Sequence, residues 1–313
     1  MTTAVAPLPL LLEEIEVTGV ERLSPTFVRV EFGSPALADL GVDGPLFDQR
    51  IRLIFPNRAG RLPSMEGADE SWFESWMQVP EEERGAMRTY TVRALRGSGA
   101  DTRLVVDFVV HGDGDSSGPG GDFGAHAAVG RRVITMAPRR GVPFGGIEFD
   151  PGTAKRLLLA GDETAVPAVS AILECLPPTA RGAVFLEVPV SGDVLPLRGP
   201  TGVEVHWLPR DGAPRAEALH AAVLEHLGEE PVVPVVDEVD PDLWETPTYS
   251  SSGERVVTAP AASAAPHPDL YAWVAGEARV VTGLRGHLVR ELGIDRRQVA
   301  FMGYWRQGVA MRS

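Results

Sequence analysis

The sequence predicts two domains of different class: an antiparallel β-barrel over residues 1–150, and an α/β domain with a parallel sheet over residues 151–313. Up to Phe149 the chain runs in short strand-like segments with few helical patterns. Beyond Asp150, short apolar strands alternate with helical periods, which is typical of βαβ units and a helix-covered parallel sheet. A length of 313 residues fits about two domains.

Six short strands are predicted in the first domain, each rich in β-branched or aromatic residues and bounded by Gly, Pro or Asp. They are IEVTGVERL, FVRVEF, IRLIFP, MRTYTVRAL, RLVVDFVVHG and GRRVITMAP. This pattern favours a closed or nearly closed six-stranded barrel. Residues 1–10 are predicted to be a loose tail. The stretch 63–87, with Trp72, Phe73 and Trp76, is predicted to be a short helix and a loop.

In the second domain, the run LLLAGDETAVPAVSAILECL predicts a strand, a turn and a helix, with Thr164 as the helix N-cap and Pro167 in the first turn. A helix is predicted over residues 278–292. Its apolar positions suit one buried face; they are Val281, Leu284, Leu288 and Leu292. The Ser-, Ala- and Pro-rich segment 245–268 has no periodicity, and we expect a mobile loop that closes over a ligand.

Composition excludes several classes of protein. The net charge of −14 disfavours a nucleic acid or an anionic membrane as partner. The single cysteine, Cys175, excludes an intramolecular disulfide and a Cys-based iron–sulfur cluster. The apolar run Leu8–Leu12 has no positive region before it and acids directly after it, so we expect neither a signal peptide nor membrane insertion, and a cytoplasmic protein. Lys155 is the only lysine, so anion sites depend on arginine, histidine and backbone N–H groups.

Four motifs follow one another in the chain: Arg88-Thr89-Tyr90-Thr91, His111-Gly112 with a Gly-rich loop, AGDETAVPAV at 160–169, and GYWRQG at 303–308. Each motif alone is weak evidence for a protein family, but the four motifs in this order over about two hundred residues are hard to obtain by chance. Together they resemble the siderophore-interacting flavoprotein family, the FAD-dependent ferric-siderophore reductases of the ferredoxin-reductase superfamily. The resemblance extends from about Ile15 to Gly308.

The first motif predicts contacts with FAD. On an extended strand Arg88 and Tyr90 point to the same side, about 7 Å apart, whereas Thr91 points to the other side unless the strand ends or bends there. The resemblance implies that Arg88 reaches the pyrophosphate, that Tyr90 packs by the flavin and ribityl chain, and that the Thr91 hydroxyl lies near the reactive N5 as the catalytic group. Thr89 is assigned to the same cofactor site.

The Gly-rich segment HGDGDSSGPGGDFGAHAAVG permits backbone conformations in which successive N–H groups face an anion. A short helix is predicted to begin at Ala125–Ala128, with an N-terminus that favours a pyrophosphate. The resembled family usually has Trp at the position of Phe123. The candidate cofactor contacts are His111, Gly112, Ser117, Gly118, Gly120, Gly121 and Phe123.

The turn after the first strand of the second domain is the candidate nicotinamide site, because open α/β sheets bind ligands at the carboxyl ends of their strands. It has no G-x-G-x-x-G fingerprint. The resemblance implies nicotinamide contacts for residues of GDETA, with candidates Asp162, Glu163, Thr164 and Ala165. Glu187 favours ribose hydroxyls and hence NADH, whereas Arg210, with Arg198 as an alternative, favours the 2′-phosphate of NADPH. We expect NADPH by a small margin, with NADH or ferredoxin as alternative donors.

Three arginines are candidates for binding an anionic ferric siderophore: Arg52, Arg139 and Arg306. The implied reaction passes electrons from NAD(P)H through the flavin to Fe(III), and it needs no metal ligands from the protein. A general NAD(P)H:flavin or ferredoxin-linked reductase remains an alternative, as does a ferric-siderophore binding protein that hardly turns over. The sequence identifies neither the siderophore nor the oligomeric state.

Overall fold

The computed structural model describes residues 8–110, 118–231, 243–247 and 266–308. The chain divides into two compact units, Met1–Ile147 and Glu148–Arg312. Their fold class is the predicted one: an antiparallel sheet that curls into a barrel in the first unit, and a mainly parallel sheet with helices in the second. No helix in the described part of the chain is long and apolar enough to cross a membrane.

The first unit is built on a seven-stranded antiparallel sheet with the order β4-β3-β7-β1-β2-β6-β5. Its strands are β1 (Leu10–Arg22), β2 (Phe27–Gly33), β3 (Arg50–Phe55), β4 (Ala86–Thr91), β5 (Ala94–Arg96), β6 (Arg103–Val109) and β7 (Arg132–Pro138). The prediction of one strand over MRTYTVRAL was wrong, since this stretch forms both β4 and β5. The chain changes its pairing partner between them: Val92 N donates to Gln49 O at 2.8 Å, and Arg93 N donates to Val105 O at 2.9 Å. Residues 86–96 thereby join the two edges of the sheet.

The first strand begins earlier than predicted. Leu10 pairs with Pro138, and the pairing with β7 continues to Glu16 and Arg132. Leu11 and Leu12 are both buried, because alternate residues of a strand point to opposite faces and each face of β1 is covered here. The last three residues of the apolar run, Leu10 to Leu12, are therefore part of the sheet.

Two helices cover the outer face of the barrel in the stretch where a helix and a loop were predicted. They are α1 (Trp72–Gln78) and α2 (Glu81–Arg84). Trp72 and Trp76 are buried against Ile54 and Met87, whereas Phe73 is exposed. A third helix, α3 (Pro119–Ala125), packs by Phe123 into the aromatic core of the barrel.

The second unit contains a six-stranded sheet with the order β10-β9-β8-β12-β13-β11. The strands are β8 (Arg156–Gly161), β9 (Gly182–Val188), β10 (Val203–Pro209), β11 (Trp244–Glu245), β12 (Leu270–Glu277) and β13 (Val299–Trp305). All pairs are parallel except β11 with β13. The strand order reverses between β8 and β12, which is the place where doubly wound sheets bind ligands.

The helices of the second unit are α4 (Val166–Cys175), α5 (Glu217–Leu227) and α6 (Ala278–Arg285). The helix predicted over 278–292 is α6 continued by a π-helical turn, Gly286–Glu291. Val281, Leu284 and Leu288 are buried as predicted, and Leu292 is half-buried. Four 3₁₀ turns complete the described elements: Pro35–Asp39, Gly99–Asp101, Ser191–Asp193 and Arg296–Gln298. Of the predicted loop 245–268, residues 248–265 lie outside the described residues.

Candidate functional site

Strand β4 presents Arg88 and Tyr90 on the inner side of the barrel. Arg88 pairs with Leu53 and Tyr90 with Ile51, and both partners belong to the barrel core. Thr89 and Thr91 face the opposite side, where they pair with Arg52 and Arg50. Thr91 is the last residue of β4, is buried, and keeps the regular register. The predicted alternation therefore holds, and Thr91 does not share a face with Tyr90.

The ring of Tyr90 packs at 4.6 Å from Phe108 and at 5.9 Å from Phe55, measured between ring centroids. Burial raises the pKa of the Tyr90 phenol above its usual value, against the opposing charge of Arg88. Tyr90 is thus a neutral hydroxyl in the physiological range. The half-buried guanidinium of Arg88 donates from Nη1 to Met87 O at 2.7 Å.

Helix α3 brings the glycine motif to Tyr90. Gly118 is its N-cap residue and Pro119 its first residue, where the fixed φ of proline suits a helix start. A Cβ added at Gly120 would collide with the Tyr90 hydroxyl, so this close approach needs glycine. The first N–H groups of a helix have no intrahelical acceptor. Gly120, in the first turn of α3, therefore lies against Tyr90, which shares a face of β4 with Arg88.

The prediction for the start of this helix was wrong, since the helix does not begin at Ala125–Ala128 but ends at Ala125. Phe123 is 1% exposed, and its ring lies 5.1 Å from Phe55 and beneath the Arg131 guanidinium. Its contact with a cofactor stays a prediction. Three further candidates, His111, Gly112 and Ser117, lie outside the described residues.

The candidate substrate arginines have different surroundings. Arg52 is exposed on the outer face of β3. Arg139 follows β7 and uses all three of its guanidinium nitrogens: Nη1 on Asp39 at 2.9 Å, Nε on Leu8 O at 3.2 Å and Nη2 on Leu10 O at 3.4 Å. These bonds join the start of β1 to a neighbouring loop, so the geometry gives Arg139 a structural role. Arg306, in the second unit, is half-buried directly after β13.

Asp162, at the carboxyl end of β8, links three strands of the second unit. Its Oδ1 accepts from Thr164 N at 2.9 Å and from Thr164 Oγ1 at 2.6 Å. Its Oδ2 accepts from Glu277 N at 2.7 Å and from Trp305 Nε1 at 2.9 Å. Gly276 has φ of 144°, and a Cβ there would lie 2.8 Å from the Asp162 carboxyl carbon. Burial and the neighbouring Glu163 raise the pKa of Asp162 to about 6, against its hydrogen bonds and Arg215.

Glu163 is fully buried and binds two arginines. Its Oε2 lies 3.1 Å from Nη1 of both Arg210 and Arg215. Burial alone would raise the pKa of Glu163, but Arg215 and Arg210 hold it below its usual value. Arg210 also binds Glu187 Oε1 at 3.1 Å, and Arg215 lies over the Trp305 ring at 4.7 Å from its centroid.

Glu187, which the sequence assigns to ribose hydroxyls, has partners inside the second unit. Glu187 is fully buried, and its carboxylate accepts from Arg210 and from Ala216 N, at 2.9 Å to Oε2. Asp162, Glu163 and Ala165 are also buried, so among the four GDETA candidates only Thr164 has a half-exposed side chain. The alternative phosphate ligand, Arg198, is exposed in the loop before β10.

Thr164 is not the helix N-cap that the sequence predicted. Helix α4 begins at Val166, Ala165 is its N-cap, and the Thr164 hydroxyl instead donates to Asp162. Pro167 lies in the first turn as predicted. Sequence reasoning missed Arg215, which lies in a loop without any pattern. It also missed Glu277, whose position at a strand–helix junction, where it caps α6, was an available signal.

Comparison with known proteins supports the same two-part organisation. Residues 16–142 match the siderophore-interacting FAD-binding domain, and residues 154–308 match the siderophore-interacting protein model. The ferric vibriobactin reductase ViuB of Vibrio cholerae is 31% identical over 303 residues, 92% of each chain. An uncharacterized Mycobacterium tuberculosis protein is 31% identical over 95% of this chain and 91% of its own. A siderophore utilization protein from T. fusca superposes with a TM-score of 0.67 at 29% identity, covering 98% of this chain and 97% of the other.

Proposed function

The chain belongs to the siderophore-interacting protein family, and from this premise we propose that it is an FAD-dependent reductase of ferric siderophores. The proposed electron donor is NAD(P)H and the proposed acceptor is the Fe(III) of the siderophore; bound FAD would supply the link between them, and Fe(II) would leave because it binds hard oxygen ligands less well. The observation that carries the proposal is the convergence of Arg88, Tyr90 and Gly120 in the unit that matches the FAD-binding domain. The 31% identity to a ferric vibriobactin reductase supports the choice of substrate class.

The residues of the first unit fit a flavin dinucleotide. Arg88 offers a half-buried guanidinium, and the start of α3 offers N–H donors, which together suit a pyrophosphate. Tyr90 offers a flat ring with a neutral hydroxyl beside them. When bound, FAD supplies the conversion between a two-electron donor and a one-electron acceptor. In this proposal Arg88 and the α3 N–H groups hold the phosphates, and Tyr90 orients the ring system.

The second unit supports the choice of a nicotinamide donor. Its carboxyl edge, at the point where the strand order reverses, is the expected place for a dinucleotide. We propose that Thr164, on the exposed side of the GDETA turn, contacts the nicotinamide donor. The buried carboxylates of Asp162 and Glu163 fix the side chains of Thr164 and Arg215 through hydrogen bonds. Arg52 and Arg306 remain the proposed contacts for an anionic siderophore.

The test is the visible spectrum of the purified protein, recorded without oxygen before and after addition of NADPH or NADH. We expect flavin absorption that bleaches with the donor and returns when a ferric siderophore is added. Replacing Arg88 by Ala should lower the FAD content, whereas Arg96→Ala, at an exposed ion pair with Glu31, should not. A colourless protein that takes up no added FAD would exclude the reductase and favour a siderophore-binding role. Bleaching by reduced ferredoxin alone would exclude the nicotinamide donor.

A further inference from the structure

The outer strand of the second sheet has one edge that no strand of the described chain covers. Strand β10 stands at the end of the sheet and pairs with β9 only. Gly182 N donates to Gly202 O at 3.1 Å, and Arg210 N donates to Val188 O at 2.9 Å. Even-numbered positions from 202 to 210 therefore turn their backbone groups toward β9, and the odd-numbered positions turn theirs to the open edge.

The backbone groups at this open edge are free to pair with a further strand. In the part of the chain that the structure describes, neither Val205 N nor Trp207 N has an acceptor. The carbonyl groups of Val203, Val205 and Trp207 likewise have no donor there. A row of unpaired N–H and C=O groups along a strand is a template for the addition of another strand.

The side chains of β10 alternate between an apolar face and a charged face. On the charged face, Glu204 Oε2 lies 3.6 Å from His206 Nε2, and the two side chains are 78% and 44% exposed. The His206 ring stacks on Phe185 of β9, with 4.8 Å between the ring centroids, so its position is restricted. The opposite face carries apolar side chains only: Val203, Val205 and Trp207.

We propose that β10 pairs antiparallel with β10 of a second copy of this chain, about a two-fold axis at Val205. In this register the two Val205 residues exchange N–H···O bonds, and Trp207 N donates to Val203 O of the second copy. Glu204 then lies directly opposite His206 of the second copy, at a non-hydrogen-bonded position, where side chains approach most closely. Symmetry makes this contact of carboxylate and imidazole twice.

Charge complementarity selects this register over its neighbour. An axis at His206 would use the same backbone donors, Val205 N and Trp207 N. It would place the two His206 rings opposite each other and Glu204 opposite Leu208 of the second copy. Both contacts between an acid and an imidazole would be lost. The alternation of charge in the strand is therefore complementary to itself only when the axis lies at Val205.

Helix α5 leaves room for the second copy. It packs mainly on β9 and β8, not over the edge strand β10. With about 4.8 Å between neighbouring strands, the β9 strands of the two copies would lie about 14 Å apart. This spacing exceeds the diameter of about 10–12 Å of a helix with its side chains. The two α5 helices can therefore lie next to each other on the same face of a continuous sheet.

The experiment is sedimentation velocity of the full-length protein from about 1 to 200 μM, the range for a small transient interface. We expect a dimer whose fraction rises with concentration. Val205→Pro removes the N–H at the axis, which points away from β9, so it should leave a folded monomer. Val205→Ala keeps this N–H and should keep the dimer. Thermal unfolding verifies that both variants are folded.

Two charge variants test the register, and they keep the proposal testable if the proline variant does not fold. His206→Glu places a carboxylate opposite Glu204 of the second copy. It should raise the Kd of the dimer about two- to thirtyfold, because like charges then face each other at two symmetric positions. Adding Glu204→Lys to His206→Glu restores opposite charges across the axis and should restore the dimer.

Three outcomes would overturn the proposal. A monomer at every concentration would exclude the dimer. A dimer that Val205→Pro leaves unchanged would place the contact on another surface. A dimer that His206→Glu weakens and the double variant does not restore would exclude the axis at Val205. The proposal is independent of the proposed function, since sedimentation reports on the dimer whether or not a flavin is bound.

Discussion

Replacing Asp162 by Asn tests the central contact of the second unit. The carboxylate accepts four hydrogen bonds, two on each oxygen, from Thr164, Glu277 and Trp305. An amide keeps one acceptor oxygen and turns its NH₂ group toward two donors. Each lost bond to a charged acceptor costs about 1.5–3 kcal/mol, so two cost about 3–6 kcal/mol.

Removing the buried charge offsets part of that loss. The pKa of Asp162 is raised from 3.8 to about 6, mainly by burial, which at about 1.4 kcal/mol per pKa unit corresponds to about 3 kcal/mol. The loss of about 3–6 kcal/mol less the gain of about 3 kcal/mol leaves about 0–3 kcal/mol, so at pH 7 we expect Asp162→Asn to lower the free energy of unfolding by no more than about 3 kcal/mol. Asp269→Asn, at an exposed 3.7 Å ion pair with Lys155, should change it by less than about 1 kcal/mol.

The same substitution predicts a pH dependence of known sign. Because the pKa of Asp162 is higher in the folded than in the unfolded chain, protonation favours the folded state, and this gain appears as the pH falls through about 6. It is complete below the unfolded pKa of about 3.8. Asn does not titrate, so the deficit of Asp162→Asn should grow by about 1.4 kcal/mol between pH 7 and pH 5.

Urea unfolding followed by tryptophan fluorescence at the two pH values measures both effects, since the Trp305 indole itself binds Asp162. A variant more stable than the wild type at pH 7 would refute the contribution of the four hydrogen bonds. A deficit that is equal at pH 7 and pH 5 would refute the raised pKa.

Three further substitutions test the first unit. Gly120→Ala should lower FAD content severalfold, because the new methyl group displaces the Tyr90 hydroxyl, whereas Gly145→Ala, in open space, should leave the FAD content unchanged; equal FAD content in both would contradict the proposed cradle. Arg139→Ala should lower the free energy of unfolding by about 1–3 kcal/mol through its lost bonds to Asp39, Leu8 and Leu10, with KM for the ferric siderophore unchanged. Arg52→Ala should show the reverse, a raised KM for the ferric siderophore and an unchanged free energy of unfolding. A raised KM in Arg139→Ala would instead support Arg139 as a substrate contact.

The sequence predicted the fold class because its periodicities are local. Alternation with period two marked the barrel strands, and apolar runs with helical periods between them marked the parallel sheet. The division of MRTYTVRAL into β4 and β5 has no such local signal. The strand-like composition continues through Val92. The pairing partner changes there because Val92 N meets the carbonyl of Gln49, whereas Arg93 N meets the carbonyl of Val105.

The start of α3 shows how tertiary packing overrides local preference. Its sequence, PGGDFGA, contains three glycines and has poor helix propensity, which favoured a later start. The segment is helical because Phe123 enters the aromatic core and Gly124 lies against Phe108. A Cβ added at Gly124 would lie only 2.7 Å from the Cβ of Phe108. Both contacts bring together residues that are distant in the sequence.

The GDETA motif shows what a clear sequence signal leaves open. Asp162 and Glu163 are 1% and 0% exposed, and the sequence does not show which side chains they bind. A buried carboxylate is stable only with partners that satisfy its charge, and these partners come from loops whose sequence has no periodicity. Glu163 holds Arg210 and Arg215, and Asp162 holds the Trp305 indole. A pair of adjacent acids at the end of a buried strand therefore points to a network, and the ligand-binding groups should be sought among the cations and rings that this network orients.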